Sequence, residues 1–182
     1  MNASKKNILL TGVPGIGKTT LMINLFESLR DFNPVGFYTE EIRKEGVREG
    51  FELVSLDGRR GLLSHVGIKS PYRIGKYRVD IMGFEDFLSA IPILGSPSPF
   101  ILIDEIGKME CLSDRFKTLL IQVIKSEKMV IATIALRGEG FIAEIKKRAD
   151  VLLFEITEQN RDFLLSDILT EIKKNQHGLP SK

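Results

Sequence analysis

Short, unbroken apolar runs alternate with amphipathic stripes along most of this chain, and each kind predicts a different element. The run Asn7-Ile8-Leu9-Leu10-Thr11 has the length of a buried strand. Leu21, Leu25 and Leu29 then recur at helical spacing, with Met22 and Phe26 beside them. Val35-Gly36-Phe37-Tyr38-Thr39 reads as a second strand. A different texture follows. Phe51 to Leu56 is strand-like, Asp57-Gly58 is a hairpin turn signal, and Arg59 to His65 supplies a returning strand. Lys44-Glu45-Gly46 is a further turn. These features predict a small antiparallel β excursion over about residues 40–80, read either as a cover for a sheet edge or as a lid or partner-contact surface.

The second half returns to alternation. Phe84, Phe87, Leu88 and Ile91 form a helical stripe within Gly83 to Leu94, ended by Gly95-Ser96-Pro97-Ser98-Pro99. The run Phe100-Ile101-Leu102-Ile103 stops at Asp104. Phe116, Leu119, Leu120, Val123 and Ile124 mark a helix, and Met129 to Ile134 a buried strand. Phe141, Ile142 and Ile145 begin a short helix that ends on Lys146-Lys147-Arg148, charges suited to a helix C-terminus. Val151 to Ile156 is a strand. Leu164, Leu165, Ile168, Leu169 and Ile172 form the last helix, and a polar tail from Lys173 is expected to fray. Apolar strands separated by helices imply an α/β fold with a mostly parallel sheet covered on both faces.

Composition narrows this picture. The 182 residues suit one domain, and 43% hydrophobic with 27% charged residues is ordinary for a globular protein. A net charge of +2, with both signs interspersed, gives no electrostatic case for nucleic acid or an anionic membrane. The single Cys111 excludes an intrachain disulfide and is expected to be a small packed residue. The N-terminal residues are expected to lead straight into the first strand with no room for a leader, and no apolar run approaches the ~18 residues of a membrane span. A cytoplasmic protein is the expectation.

The chemistry is carried by the turn after the first strand. Gly12-Val13-Pro14-Gly15-Ile16-Gly17-Lys18-Thr19 matches the P-loop pattern at every fixed position, with strand before and helix after. Its glycines let backbone N–H groups approach phosphate oxygens. Lys18 is expected on the β- and γ-phosphates, Thr19 on Mg²⁺, and Thr20 beside them at the positive end of the helix dipole. Asp104, at the end of an apolar strand, fits the acid that holds Mg²⁺ through water, so Thr19 and Asp104 are the candidate metal residues. Glu105 is the candidate base for an attacking water. Thr133 reads equally as a polar sensor of the γ-phosphate and as a β-branched strand residue. Arg137 reads as a cation for transition-state charge or as a solvated loop arginine. Lys108 either touches phosphate or pairs with Glu110. His65 and His177 have no partners at meaningful spacing and are expected to be non-catalytic.

Several strings together resemble one family. These are the P-loop itself, Gly36-Phe37-Tyr38-Thr39-Glu40, Ile103-Asp104-Glu105-Ile106-Gly107-Lys108-Met109-Glu110, Ala132-Thr133-Ile134 and Thr157-Glu158-Gln159-Asn160-Arg161-Asp162. The chain is similar over about Lys6 to Leu169 to the small thermophile-type nucleoside-triphosphatases, the THEP family. The resemblance implies a RecA-like P-loop NTPase domain, a three-layer sandwich, that slowly hydrolyses ATP, GTP, CTP and UTP with Mg²⁺. It implies that Gly12 to Thr19 contact phosphate and metal, and that Ile101, Leu102, Ile103, Asp104, Glu105, Ile106, Gly107 and Lys108 line the nucleotide site. Arg161 would lie near the base. The segment Ala135-Leu136-Arg137-Gly138-Glu139-Gly140 departs from the family pattern, which leaves the place of Arg137 open.

Two alternatives stand beside hydrolysis. A small-molecule or nucleotide kinase shares this size and layering, although Glu105 beside Asp104 and the lack of an Arg-rich lid favour water as acceptor. A nucleotide-gated module would instead use the 40–80 excursion to contact protein or RNA.

Overall fold

Alternation along the strands explains the layers. In the computed structural model, which describes residues 5–175, Ile8 and Leu10 of β1 (Asn7–Thr11) face one side of the sheet and Leu9 the other. The same division runs through β7 (Phe100–Ile106) and β8 (Met129–Ile134). Phe100, Leu102, Met129 and Ile131 join Ile8 and Leu10, while Ile101, Ile103, Val130, Ala132 and Ile134 join Leu9. Both faces are apolar because both are covered. On the first face lie α1 (Lys18–Ser28) and α5 (Leu164–Asn175). On the second lie α2 (Ile81–Ala90), α3 (Asp114–Lys125) and α4 (Phe141–Lys146).

Completing the sheet are β2 (Val35–Lys44), β3 (Val47–Ser55), β4 (Arg60–His65), β5 (Arg73–Ile74), β6 (Tyr77–Val79) and β9 (Val151–Glu155). Their order is β5-β6-β4-β3-β2-β7-β8-β1-β9. From β2 to β9 the neighbours are parallel. From β2 outward through β3, β4, β6 and β5 they are antiparallel. The excursion read from the sequence is therefore a coplanar extension of the main sheet. Its first strand is β2 itself, which runs on to Lys44 instead of ending at Thr39. The Lys44-Glu45-Gly46 turn forms with Glu45 at φ 50° and Gly46 at φ 79°. A second small hairpin, β5–β6, was not legible, being only two and three residues long.

Both ends of α2 are set by local chemistry. The α2 helix starts at Ile81, where the Asp80 carboxylate accepts a hydrogen bond from Gly83 N–H at 3.0 Å. It stops at Ala90 because Ile91 precedes Pro92 and is extended at ψ 125°, so the expected continuation to Leu94 is absent. Lys173 still lies within α5. The chain termini, including His177, lie outside the described residues.

The buried core of the second face centres on Phe37, whose ring meets those of Phe84, Phe87 and Phe116 edge-on at 5.8–6.4 Å. No helix among the described residues is long and apolar enough to cross a membrane.

Candidate active site

With β8 lying between β1 and β7, the loops after β1 and β7 flank a crevice at the carboxyl edge of the sheet. The P-loop closes one side. Gly15 at φ 79° and Gly17 at φ 110° take left-handed backbone conformations, and a Cβ on either would meet open space. Their requirement is conformational. Gly12 differs: a Cβ there would sit 2.8 Å from the Ile156 carbonyl oxygen, so that glycine is set by the neighbouring strand end. No side chain caps α1, which leaves its first N–H groups available to an anion. The Lys18 ammonium donates to the carbonyls of Gly12 at 3.0 Å and Val13 at 3.2 Å, folded back over the loop.

The opposite acids owe their positions to an irregularity in β7. Ile103 pairs with Ala132 but Ile106 pairs with Ile134, so the Asp104-Glu105 stretch carries one residue more than its partner strand. In a regular strand Asp104 and Glu105 would face opposite sides of the sheet. Here Asp104 keeps to the α1 side and Glu105 is the bulged residue, and both line the same cleft. Asp104 Oδ2 accepts a hydrogen bond from Thr19 Oγ1 at 2.6 Å, and Oδ1 accepts one from Thr133 Oγ1 at 2.5 Å. Thr133 is fully buried and holds the Asp104 carboxylate.

Burial pushes the Asp104 carboxyl above its ordinary range, against the pull of the two threonine hydroxyls and Lys18. Burial also raises Glu105, with the Asp104 charge adding to it and Lys18 opposing. A raised carboxylate beside an ammonium is poised to take a proton. The hydroxyl of Thr19 and the carboxylate of Asp104 form an adjacent pair of hard oxygen donors. Among the described residues no group of three or more His, Cys, Asp or Glu is placed to hold a metal. This donor set fits a Mg²⁺ that keeps most of its shell as water and phosphate oxygen.

The cleft has a volume of about 390 Å³ and contains Pro14, Gly15, Gly17, Lys18, Thr19, Thr20, Asp104 and Glu105 from the predicted set. Its remaining wall, missed in the sequence, is Thr39, Glu41, Arg48 and Phe51 from β2 and β3. Other predicted residues lie elsewhere. Ile101, Leu102, Ile103 and Ile106 are core residues with essentially no exposed surface, because both faces of β7 are covered. Ile16 likewise turns its side chain into the core beside Leu21. Val13 is half exposed outside the cleft. Arg137 is exposed in the bend after β8 and does not line the cleft. The side chain of Arg161 is 54% exposed and meets Asp162 at 3.8 Å, also outside the cleft. Upstream of it, Ile156 N–H donates to the carbonyl of Thr11, the residue before the P-loop, at 2.7 Å.

Gly107 and Lys108 line an adjoining cavity of about 240 Å³, which shares Thr39, Phe51 and Glu105 with the cleft. Lys108 does not pair with Glu110. Glu110 instead turns inward, 5% exposed, and its Oε2 accepts from Gly107 N–H at 3.1 Å. Burial pushes its carboxyl up to about 8 from an ordinary 4.5. Between those values the native state keeps a proton that the unfolded chain has released, so stability falls as pH rises, by up to about 1.4 kcal/mol per pH unit. Thermal unfolding from pH 5 to 8 should show a declining Tm in the wild type. Glu110→Gln should flatten that decline and be the more stable protein at pH 8. His65 faces Glu49 at 3.6 Å, away from the cleft. Burial pushes the Cys111 thiol up to about 12, in keeping with a packed, unreactive residue.

Residues 7–169 match a family model described as NTPase. The nucleoside-triphosphatase THEP1 of Thermotoga sp. (strain RQ2) is 44% identical over 170 residues, 93% of this chain and 97% of that protein. The human cancer-related nucleoside-triphosphatase is 39% identical over 189 residues, 94% of this chain and 98% of that one. The crystal structure of THEP1 from the hyperthermophile Aquifex aeolicus superposes with a TM-score of 0.83 at 34% identity, covering 92% of this chain and 99% of that one.

Proposed function

This chain belongs to the NTPase family, and from that premise we propose that the P-loop cleft holds a nucleoside triphosphate and directs water at its terminal phosphate. The protein is a nucleoside-triphosphatase: water attacks the γ-phosphorus, the bond to the β,γ-bridging oxygen breaks, and NDP and phosphate leave. One observation supports the residue assignment above the others. The bulge in β7 brings Glu105 into the same cleft as Lys18, Thr19 and Asp104.

Each side chain then has a physical task. Lys18 exchanges two neutral carbonyl partners for phosphate oxygens, a charge-assisted contact that is the stronger one. Uncapped N–H groups at the start of α1 offset further negative charge. Glu105 orients the water and takes its proton. Thr133 fixes Asp104, so that carboxylate needs no reorganisation. Thr19 and Asp104 would hold Mg²⁺, which when bound neutralises charge on the β- and γ-oxygens.

A phosphate-release assay across ATP, GTP, CTP and UTP tests the reading. Hydrolysis of all four should occur and stop in excess EDTA; undiminished release with the chelator would remove the metal role. No stretch of the chain resembles the Asn-Lys-x-Asp guanine reader. Without donors and acceptors paired to one base edge, the four specificity constants should fall within roughly a hundredfold, a difference of about 2.7 kcal/mol. A preference beyond a thousandfold would reveal a base reader.

The kinase alternative has one observation in its favour. Glu105 also borders the 240 Å³ cavity, where an acceptor hydroxyl has room. Phosphate release that is replaced by a phosphorylated nucleoside when nucleosides are added would support it. A cytoplasmic setting belongs to the same proposal and is supported by the single free cysteine.

A further inference from the structure

Besides Lys18, a second cation, Arg48, reaches the cleft. Among the residues lining it, only Lys18 and Arg48 are positively charged. Lys18 belongs to the P-loop wall. Arg48 belongs to the opposite wall, on β3 of the antiparallel extension, where the chain brings Thr39, Glu41 and Phe51 to the same surface.

The Arg48 side chain is held on three sides. Its Nε donates to the Tyr77 hydroxyl at 2.8 Å and its Nη1 to Glu41 Oε1 at 2.6 Å. The guanidinium carbon lies 5.1 Å from the centre of the Phe51 ring and 5.8 Å from that of Tyr77. Such bracing removes most of the rotamer entropy that a free arginine loses on gripping a ligand. The β5–β6 hairpin supplies the brace: Tyr77 starts β6, and the neighbouring Lys76 ammonium donates to the Arg48 carbonyl at 2.8 Å.

The charge is not spent within the wall. Glu41 is shared by two guanidinium groups, since Arg43 Nε also donates to its Oε2 at 2.7 Å. The Arg43–Glu41–Arg48 cluster therefore keeps one net positive charge. Of the five guanidinium N–H donors, one on Nε and one on Nη1 are engaged, and Nη2 is not bonded to either partner. Three N–H groups remain for an anion, in the fork that matches phosphate oxygens.

Position decides which phosphate. Phe51, on which Arg48 stacks, borders both the cleft and the cavity behind Glu105. Arg48 thus lies on the Glu105 side of the cleft, where the terminal phosphate meets water. Resting on the reading of the cleft as the triphosphate site, we propose that Arg48 is a catalytic residue. It binds the γ-phosphate from the wall facing Lys18 and stabilises the charge on its oxygens in the transition state. The antiparallel extension is then the element that delivers this cation from within the chain.

Calorimetric titration with NDP and with a β,γ-imido triphosphate analogue, alongside steady-state kcat, tests this in wild type, Arg48→Ala, Arg48→Lys and Tyr77→Phe. Affinity for NDP should stay within about twofold of wild type in all three variants, because the P-loop wall is untouched. Arg48→Ala should lose the preference for triphosphate over diphosphate by about tenfold, and kcat by about a hundredfold. That loss is smaller than the 10³–10⁵ credited to free arginine fingers because Glu41 shares the charge. Arg48→Lys should recover part of both, keeping the charge without the fork. Tyr77→Phe should lower kcat several-fold by loosening the brace. Arg48→Ala with unchanged kcat and unchanged analogue affinity would overturn the proposal. Equal losses for NDP and analogue would also overturn it, since Arg48 would then be scaffold; Arg48→Lys decides the case where the alanine variant unfolds. A wild type that binds neither ligand would instead refute the reading of the cleft.

Discussion

Lys18→Ala is expected to abolish measurable turnover and to weaken triphosphate binding by on the order of a hundredfold, about 2.7 kcal/mol. Removing the ammonium leaves crowded phosphate oxygens with only backbone N–H groups and the facing wall. Charge-assisted hydrogen bonds of this kind are worth about 1.5–3 kcal/mol each. The effect on turnover exceeds that on binding, because charge on the γ-oxygens and the leaving oxygen grows as the bond breaks. Folding should be nearly unaffected. In the resting site Lys18 bonds to two carbonyls of its own loop and is only partly buried, so its loss removes little packing. Calorimetry with NTP, with Tm recorded on the same samples, checks both halves. Wild-type affinity in the alanine variant would refute the assignment of Lys18 to phosphate.

What the sequence made legible, and what it hid, follows from how far apart the interacting residues lie in the chain. The P-loop is one contiguous loop whose backbone geometry is set by its own glycines, so the grouping of Gly15, Gly17, Lys18 and Thr19 at one cleft was legible in the sequence. Asp104 and Glu105 were also legible, as acids ending an apolar strand. Their common destination was not, because it depends on a bulge that appears only in the pairing with β8. Thr133 stayed undecided for the same reason: its bond to Asp104 crosses from one strand to the next. Within residues 101–108 only Asp104 and Glu105 line the cleft, and Gly107 and Lys108 its adjoining cavity. A strand covered on both faces presents chemistry at its end alone, and Ile101, Leu102 and Ile103 are core.

Arg48 was hidden more deeply. In the chain it lies among charged residues between Glu45 and Glu52, where a solvated hairpin face is the ordinary reading. Only the pairing of β2 with β3 brings it beside Glu41, and only the distant β6 provides Tyr77. Arg137 attracted attention because it follows an apolar strand directly, yet that bend turns it to solvent. Which cation reaches the cleft is thus a tertiary property: Arg48 lines it and Arg137 does not.

Glu105→Gln should separate chemistry from binding. On the proposed reading Lys18, Thr19 and Asp104 would carry the phosphate and metal contacts, and the glutamine keeps the size of Glu105 while removing its ability to take a proton. Affinity for NTP with Mg²⁺ should change by less than about threefold. The kcat should fall by roughly 10²–10⁴, the usual worth of a positioned general base. The pH profile adds a second reading. Burial, and then the Asp104 charge, hold the Glu105 carboxyl above its ordinary value of 4.5, so it begins to take up a proton at higher pH than a free glutamate. Wild-type kcat should therefore decline on the acid side at a pH above that value, and the decline should vanish in the glutamine variant. Glu110 is the nearby alternative, but it is buried, bonded to Gly107 N–H and protonated up to about pH 8. It is thus the poorer base at neutral pH. Near-normal turnover in Glu105→Gln would nevertheless transfer the role away from Glu105. A parallel loss of nucleotide affinity would make Glu105 a metal or structural ligand.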